Sequence, residues 1–190
     1  FEFYDENGIS FVPTGGTLNR ISKIVEPENS IKISVTAACD VENPLFGKNG
    51  AAYVFAPQKG ADEATVKLLD AGLRNYAEVV ERYNGAKVVD MPGAGAAGGL
   101  GAGFVALLGA RLERGIDMVL DAMNFADIIS GSDLVITGEG RIDRQTVMGK
   151  APSGVLQAAS AQSIPTIAIG GAVAWCEELA QSDFVAMLPI

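Results

Sequence analysis

The residues most able to do chemistry lie between Asp133 and Asp143, in the sequence Asp-Leu-Val-Ile-Thr-Gly-Glu-Gly-Arg-Ile-Asp. Its apolar run, Leu134–Ile136, predicts a buried strand. The strand ends in Gly-Glu-Gly, which can turn sharply and let a ligand approach the backbone. Glu139, Arg141 and Asp143 then follow closely. Because ligands of open α/β sheets bind beyond the carboxyl ends of the strands, we predict a ligand-binding loop here.

Four acids leave predicted strands into loops, and each is a candidate general base or Mg²⁺ ligand. They are Asp40, Glu42, Glu139 and Asp143. Capping of a loop or simple solvation is the alternative for each of them. Arg141 could bind a carboxylate or phosphate through its guanidinium fork, or pair locally with one of these acids.

Lys150 precedes a predicted helix that begins near Pro152, so it is either a point charge for phosphate or a solvated lysine. Lys59, in the loop Pro57–Gly60, carries the same two interpretations. A P-loop is excluded, because that pattern needs Gly at position 144 and Ser or Thr at position 151. The chain has Arg144 and Ala151 there.

A glycine-rich segment, Gly93-Ala-Gly-Ala-Ala-Gly98, matches G-x-G-x-x-G after a predicted strand, Val88–Met91. A dinucleotide site should also have an acid ending a second strand about twenty residues later, but that region predicts helix. A tight turn with close helix packing is a second interpretation. The favoured one is an anion site at a helix N-terminus, formed by Gly93, Gly95, Gly98 and Gly99.

The flanking pattern predicts an α/β protein with two parts, a mixed α/β part and a Rossmann-like parallel βα part. From Asp133 onwards strands alternate with helices, which indicates a parallel sheet with right-handed crossovers. We therefore expect Gly138–Asp143 and Gly170–Gly171 at the same sheet edge. We place the mixed domain, with the glycine loop, at residues 1–130 and the Rossmann-like domain at 131–190. The predicted elements are a hairpin over Phe1–Val12, helices Leu18–Val25, Ala61–Tyr83 (N-cap Asp62), Gly98–Leu108, Ile116–Met123, Phe125–Ser130, Pro152–Ala161 and Trp175–Gln181, and strands Ile31–Ala38, Thr166–Ile169 and Phe184–Met187.

Composition limits the function classes. A net charge of −9 argues against nucleic acid or an anionic membrane as partner. No apolar run is long enough to span a bilayer, and two cysteines give no disulfide framework, so we expect a cytoplasmic protein. The sequence has no histidine, which excludes a Ser-His-Asp triad and an imidazole zinc site. Phosphoryl transfer suits such a chain, because positioning and charge neutralisation do most of that catalysis. A homo-oligomer is left open.

Several blocks together resemble the bacterial glycerate kinase family, in the family's order. They are Ala38–Gly47, Asn49–Ala52, Phe55–Gly60, Pro92–Gly101, Gly115-Ile116, Asp133–Asp143, Gly149–Pro152 and Pro165–Gly171. The resemblance implies an ATP- and Mg²⁺-dependent kinase that phosphorylates D-glycerate, with 2-phosphoglycerate as the expected product. It also implies two α/β domains, a Rossmann-like one and one inserted into it.

The resemblance carries site roles to Asp40, the Gly93–Gly99 loop, Glu139, Arg141 and Asp143, with Asp40 and Asp143 as candidates for base or metal ligand. Terminal segments of the family pattern are absent here, so we interpret the chain as a fragment truncated at both ends and expect it to be inactive by itself. Two other functions are considered: a dinucleotide-dependent oxidoreductase, and a non-catalytic module that binds an acidic metabolite.

Overall fold

A computed structural model describes residues 1–29 and 33–190. It forms two compact units, Phe1–Leu112 and Glu113–Ile190. Helices and strands are mixed in both units, and the second unit contains a parallel sheet, so the α/β prediction is confirmed. The units divide ahead of the boundary predicted near residue 130. The assignment of domains to residues 1–130 and 131–190 stays a prediction.

The first unit opens with an antiparallel sheet in the order β2-β1-β3, formed by Glu2–Tyr4 (β1), Ser10–Phe11 (β2) and Lys23–Val25 (β3). The hairpin prediction is confirmed. The helix predicted over Leu18–Val25 is wrong for its second half. A 3₁₀ helix covers Gly15–Arg20, after which Lys23–Val25 pairs with β1 and buries Ile24. Burial of that side chain and the strand hydrogen bonds outweigh local helix propensity.

A long helix, α2 (Glu63–Asn84), organises the first core. Asp62 caps it as predicted, because its side chain accepts a hydrogen bond from the Thr65 amide at 2.8 Å. The helix ends at Gly85, which takes a left-handed conformation with φ of 78°. Its apolar face packs on the 3₁₀ helix and on α1 (Ala51–Phe55). Val66, Leu73, Val79 and Val80 are buried there.

The rest of the first unit positions the glycine loop. Thr36–Ala38 (β4) pairs with Arg111–Glu113 (β5), and a 3₁₀ turn covers Pro57–Lys59. Residues 30–32 lie outside the described residues, and of the described part of the strand predicted over Ile31–Ala38, residues 33–38, only Thr36–Ala38 is strand. The strand predicted at Val88–Met91 is wrong. That segment is irregular, and Val88 is fully buried in the core without strand pairing.

The second unit is a three-stranded sheet in the order β6-β7-β8, with helices between its strands. The strands are Val135–Glu139 (β6), Thr166–Gly170 (β7) and Ala186–Pro189 (β8), all parallel. The helices are Gly115–Ala122 (α4), Phe125–Ile129 (α5), Ala151–Ser160 (α6) and Glu177–Ala180 (α7). The predicted βα alternation is thus confirmed, although α7 is shorter than the predicted Trp175–Gln181.

The register of this sheet places its loops as predicted. Glu139 pairs with Gly170, and beyond the strands Ile142 bridges Val173 in parallel. Gly138–Asp143 and Gly170–Gly171 therefore lie at one edge of one sheet. Ile142 is fully buried between the two loops, which anchors the charged residues on either side of it.

Candidate active-site loop

The loop between β6 and α6 carries most of the predicted site residues, and the fold holds it tightly. After Glu139 the chain turns through Gly140, buries Ile142 and enters a 3₁₀ helix, Arg144–Val147. Asp143 is the N-cap of that helix, since its carboxylate accepts a hydrogen bond from the Gln145 amide at 2.8 Å. The Asp143 carboxylate is thus oriented by the backbone of the turn.

Thr146 links the two acids of the loop and was missed by the sequence analysis. Its hydroxyl donates to Glu139 Oε1 and accepts from the Asp143 amide at 2.9 Å. The side chain is fully buried. The sequence signal was available, because Asp143-x-x-Thr146 has the spacing of a capping box, in which the fourth residue bonds back to the first.

Two cations lie beside these carboxylates. Lys150 Nζ is 3.7 Å from Glu139 Oε2, and Arg141 Nε is 3.6 Å from Asp143 Oδ2. Each carboxylate thus has one oxygen in a hydrogen bond and the other within 4.0 Å of a cation, and the Glu139 side chain is 19% exposed against 28% for Asp143. The Arg141 side chain is 67% exposed, so its guanidinium is accessible to a ligand. The structure brings Glu139, Arg141, Asp143 and Lys150 together in one loop.

The next cation along the chain is used differently. Arg144 Nε is 2.9 Å from Glu178 Oε1, at the start of α7. Hydrogen bonds from its own backbone amide and from the Cys176 thiol hold the pKa of Glu178 below its usual value against the opposing effect of burial, and the Arg144 charge lowers it slightly further. This ion pair connects the loop to α7, which gives Arg144 a structural role.

The glycine loop lies in the first unit and opens a helix, α3 (Ala96–Leu108), as predicted. The helix is interrupted at once, because Ala97, Gly98 and Gly99 all have positive φ. Gly95 is buried, its amide donates to Asn43 O at 2.9 Å, and a Cβ there would lie 2.4 Å from Pro44 O. Gly95 therefore serves close packing, and its amide is not directed at a ligand.

The other glycines of the predicted anion site fall into two groups, buried and exposed. Gly93 and Gly99 are buried. A Cβ on Gly93 would lie 2.7 Å from Cys39 Sγ, and a Cβ on Gly99 would lie 2.8 Å from Leu73 Cδ2. Gly98 is exposed, with open space where its Cβ would be. Since the segment before this loop is not a strand, the strand-turn-helix context of a dinucleotide fingerprint is also missing.

Asp40 follows β4 in the first unit, where it is exposed. It lies in a different unit from Asp143, the other candidate metal ligand. Within residues 1–29 and 33–190, no group of three or more acids and cysteines is arranged to hold a metal ion. Magnesium at phosphoryl-transfer sites commonly uses one or two carboxylates with phosphate and water, so the candidates are single carboxylates rather than a cage.

Comparison with known proteins then defines the family. The model of the glycerate kinase family matches residues 1–190, the whole chain. The chain belongs to the glycerate kinase family. The predicted resemblance is therefore confirmed.

Relatives in the glycerate kinase family agree with the match. A glycerate kinase from Bacillus cereus is 51% identical over 174 residues, which are 90% of this chain and 46% of that protein. A glycerate 2-kinase from Escherichia coli is 46% identical, over 89% of this chain and 45% of that protein. The chain thus spans about half the length of the curated relatives that it matches.

A solved structure shows the same fold. A crystal structure of a protein from Salmonella typhimurium LT2, provisionally assigned as glycerate kinase 2, matches with a TM-score of 0.81 and 39% identity. The match covers 99% of this chain and 50% of that one. In the part of the chain that the structure describes, no helix is long and apolar enough to cross a membrane.

Proposed function

We propose that the whole protein transfers the γ-phosphoryl group of ATP to a hydroxyl of D-glycerate, with 2-phosphoglycerate as the product. Membership of the glycerate kinase family supports the reaction class, and a glycerate 2-kinase among the relatives supports the position of transfer. A cytoplasmic location, Mg²⁺ dependence and a homo-oligomer remain predictions alongside this function.

The β6–α6 loop is the observation that carries the proposal. It sets Arg141 and Lys150 beside Glu139 and Asp143 at the carboxyl edge of a parallel sheet. Glycerate and the transferring phosphoryl group are both anions, and a reaction that moves phosphate to a hydroxyl needs cations for the charge and a carboxylate for the hydroxyl. One rigid loop supplies both kinds of group.

Asp143 is the carboxylate best placed to act on the hydroxyl. The Gln145 amide and the capping-box turn fix its orientation, and its second oxygen lies 3.6 Å from Arg141 Nε, beyond hydrogen-bond distance. It can orient or deprotonate the attacking hydroxyl, or take a Mg²⁺ ion together with phosphate and water. Asp40 is the corresponding candidate in the first unit. Bound Mg²⁺ would neutralise the phosphate charge.

Arg141 and Lys150 have complementary roles. The exposed guanidinium of Arg141 can bind the glycerate carboxylate or the transferring phosphoryl group through two parallel hydrogen bonds. Lys150, held near Glu139, offers a point charge for phosphate. Glu139 supports the loop in this scheme, because one of its oxygens accepts from the buried Thr146 hydroxyl and its side chain is only 19% exposed. It positions Lys150.

The test uses three conservative variants of the whole protein. Asp143→Asn keeps the cap, since Asn caps helices as well as Asp does, but loses the charge. Arg141→Lys keeps the charge but loses the fork. Each should lower kcat for glycerate phosphorylation by about 10²-fold or more. Arg144→Lys in the same loop should keep normal turnover, because Arg144 is committed to Glu178.

The outcomes are distinct in a coupled assay with ATP, Mg²⁺ and D-glycerate. Normal turnover in both Asp143→Asn and Arg141→Lys would mean that this loop is structural and that the roles proposed above are wrong. Absence of glycerate-dependent ATP turnover in the wild-type protein would instead refute the kinase and favour a non-catalytic module that binds an acidic metabolite.

A further inference from the structure

A second feature of the first unit is an apolar pocket of about 180 Å³, which the reaction scheme above does not use. The 3₁₀ helix Gly15–Arg20, α1, α2 and the glycine loop all contribute to its wall. Its lining residues are Gly15, Leu18, Ala51, Ala52, Phe55, Ala56, Lys59, Leu69, Leu73 and Gly98. All of them lie within Phe1–Leu112, so the pocket belongs to one compact unit.

The walls of this pocket are apolar and closely packed. Leu69 and Leu73 of α2 line it together with Leu18 and Phe55. Small residues keep it open, since a Cβ on Gly15 would lie only 3.1 Å from the Leu69 side chain. Such walls suit a flat apolar ring. They do not suit glycerate, because every carbon of glycerate carries oxygen and would lose its hydration without new hydrogen bonds.

Two residues give the apolar pocket a side that can bind an anion. Lys59 lines it, and within residues 1–29 and 33–190 this lysine has no carboxylate within 4.0 Å. Gly98 lines it from the glycine loop, exposed and with φ of 74°. An unpaired cation and an open backbone turn beside an apolar pocket complement a ligand that has an apolar ring at one end and negative charge at the other.

Local backbone structure holds Phe55 and Lys59 at this pocket. Phe55 ends α1, the 3₁₀ turn Pro57–Lys59 follows, and Gly60 closes the turn with φ of 92°. Its amide donates to Pro57 O at 3.0 Å. The segment Phe55–Gly60, whose lysine had two open interpretations in the sequence, therefore presents an aromatic wall and a cation to the same space.

We propose that this pocket binds the adenine ring of ATP, with Lys59 and Gly98 beside the phosphates. This inference rests on the proposed function, because ATP is the substrate of that reaction that has an aromatic ring, and the two faces of that ring are apolar. The ring enters between α2 and Phe55. Lys59 contributes charge to the phosphate end and little to the ring.

The test separates the ring from the phosphates with two variants of the whole protein. Ala56→Leu adds bulk at the pocket wall and should weaken ATP and adenosine together, by about tenfold or more for an excluded apolar ring. Lys59→Gln should weaken ATP binding by about twofold to fivefold, the range for one exposed charge contact, and leave adenosine binding unchanged. Ala71→Leu, on an exposed position of α2 outside the pocket, is the matched control and should leave both unchanged.

Calorimetry with ATP and with adenosine gives these affinities, and steady-state kinetics gives the KM values for ATP and D-glycerate. We expect Ala56→Leu to raise the KM for ATP while the KM for glycerate stays within about twofold, since glycerate lies elsewhere. In the wild-type protein, adenosine should also slow hydrogen exchange of the amides in residues 51–59. That measurement needs no variant, so it holds even where Ala56→Leu fails to fold.

The two proposals fail in different ways. Wild-type affinity for both ATP and adenosine in Ala56→Leu, with no exchange protection in residues 51–59, would place the adenine elsewhere and overturn the pocket while glycerate phosphorylation persists. If the wild-type protein does not phosphorylate glycerate, the proposed function fails, and the adenosine measurements still decide the pocket.

Discussion

Replacing Thr146 with valine would test whether one buried hydroxyl organises the β6–α6 loop. The two side chains have nearly the same shape, so packing around this fully buried position is preserved. The substitution removes the hydroxyl that donates to Glu139 and accepts from the Asp143 amide. Loss of stability or activity can therefore be attributed to these two hydrogen bonds.

The expected magnitude follows from the partners. A hydrogen bond to a charged group contributes about 1.5–3 kcal/mol and a neutral one about 0.5–1.5 kcal/mol. Removing both should lower the free energy of unfolding by roughly 2–4 kcal/mol. Glu139 would also lose the contact that fixes its Oε1, and Lys150 would lose a rigid partner. We expect kcat for glycerate phosphorylation to fall about tenfold or more, in line with the loss of a positioning contact.

Thr166→Val is the matched control. Thr166 is 1% exposed on the neighbouring strand, and its hydroxyl is 3.5 Å from Ile164 O, at the limit of a hydrogen bond. This variant should lose less than about 1 kcal/mol and keep normal kcat. Urea denaturation measures the free energy of unfolding of each variant, provided that its m-value equals that of wild type. Thr146→Ser keeps the hydroxyl and should therefore retain activity. Equal losses in the two valine variants would refute a special role for Thr146.

Three further outcomes are expected. A hydrogen bond from the Ile9 amide, with smaller contributions from Asn7 and Arg20, holds the pKa of Asp5 below 3.8 against its burial. Wild type should therefore be more stable than Asp5→Asn by its full margin at pH values above 3.8, and this margin should disappear as the pH falls through the pKa of Asp5 in the folded protein. A margin that does not change with pH would contradict this. Gly95→Ala should cost about 1–3 kcal/mol in urea denaturation, because its Cβ would meet the Pro44 carbonyl, whereas Gly16→Ala, with open space, should be nearly neutral. The 190-residue chain alone should show no glycerate phosphorylation, and turnover like that of an intact kinase would contradict this. It should also self-associate in size-exclusion chromatography, because Ile136 and Leu188 are exposed on one face of its sheet.

Elements with a strong period were predictable from the sequence. The apolar face of α2 repeats at helical spacing and ends with an N-cap and a C-terminal glycine, and the structure has this helix within two residues of the prediction. The alternation after Asp133 also predicted the parallel sheet and the common edge of its loops. In both cases local propensity and burial favour the same structure.

The errors occur where tertiary contacts decide the structure. Val88–Met91 is apolar enough for a strand, but Val88 reaches the core from an irregular segment. The sequence of Lys23–Val25 continues the helical pattern predicted from Leu18, yet the segment forms a strand that pairs with β1. The anion site at the glycine loop stays a prediction. Its glycines have a second cause, because neighbouring atoms leave no room for a side chain at Gly93, Gly95 and Gly99. Close packing and ligand binding favour the same glycine-rich sequence, so the sequence alone does not distinguish them.

The two acids of the β6–α6 loop illustrate the same limit for function. In the sequence Glu139 and Asp143 are equivalent candidates. In the structure each of these acids has one oxygen in a hydrogen bond and the other 3.6 Å or 3.7 Å from a cation. Their surroundings differ, because Glu139 binds a fully buried hydroxyl and is 19% exposed, whereas Asp143 is 28% exposed beside the Arg141 side chain, which is 67% exposed. A carboxylate must keep lone pairs available to accept a proton or a metal ion. Asp143 is therefore the stronger candidate for chemistry, and Glu139 supports it by keeping the loop and its lysine in place.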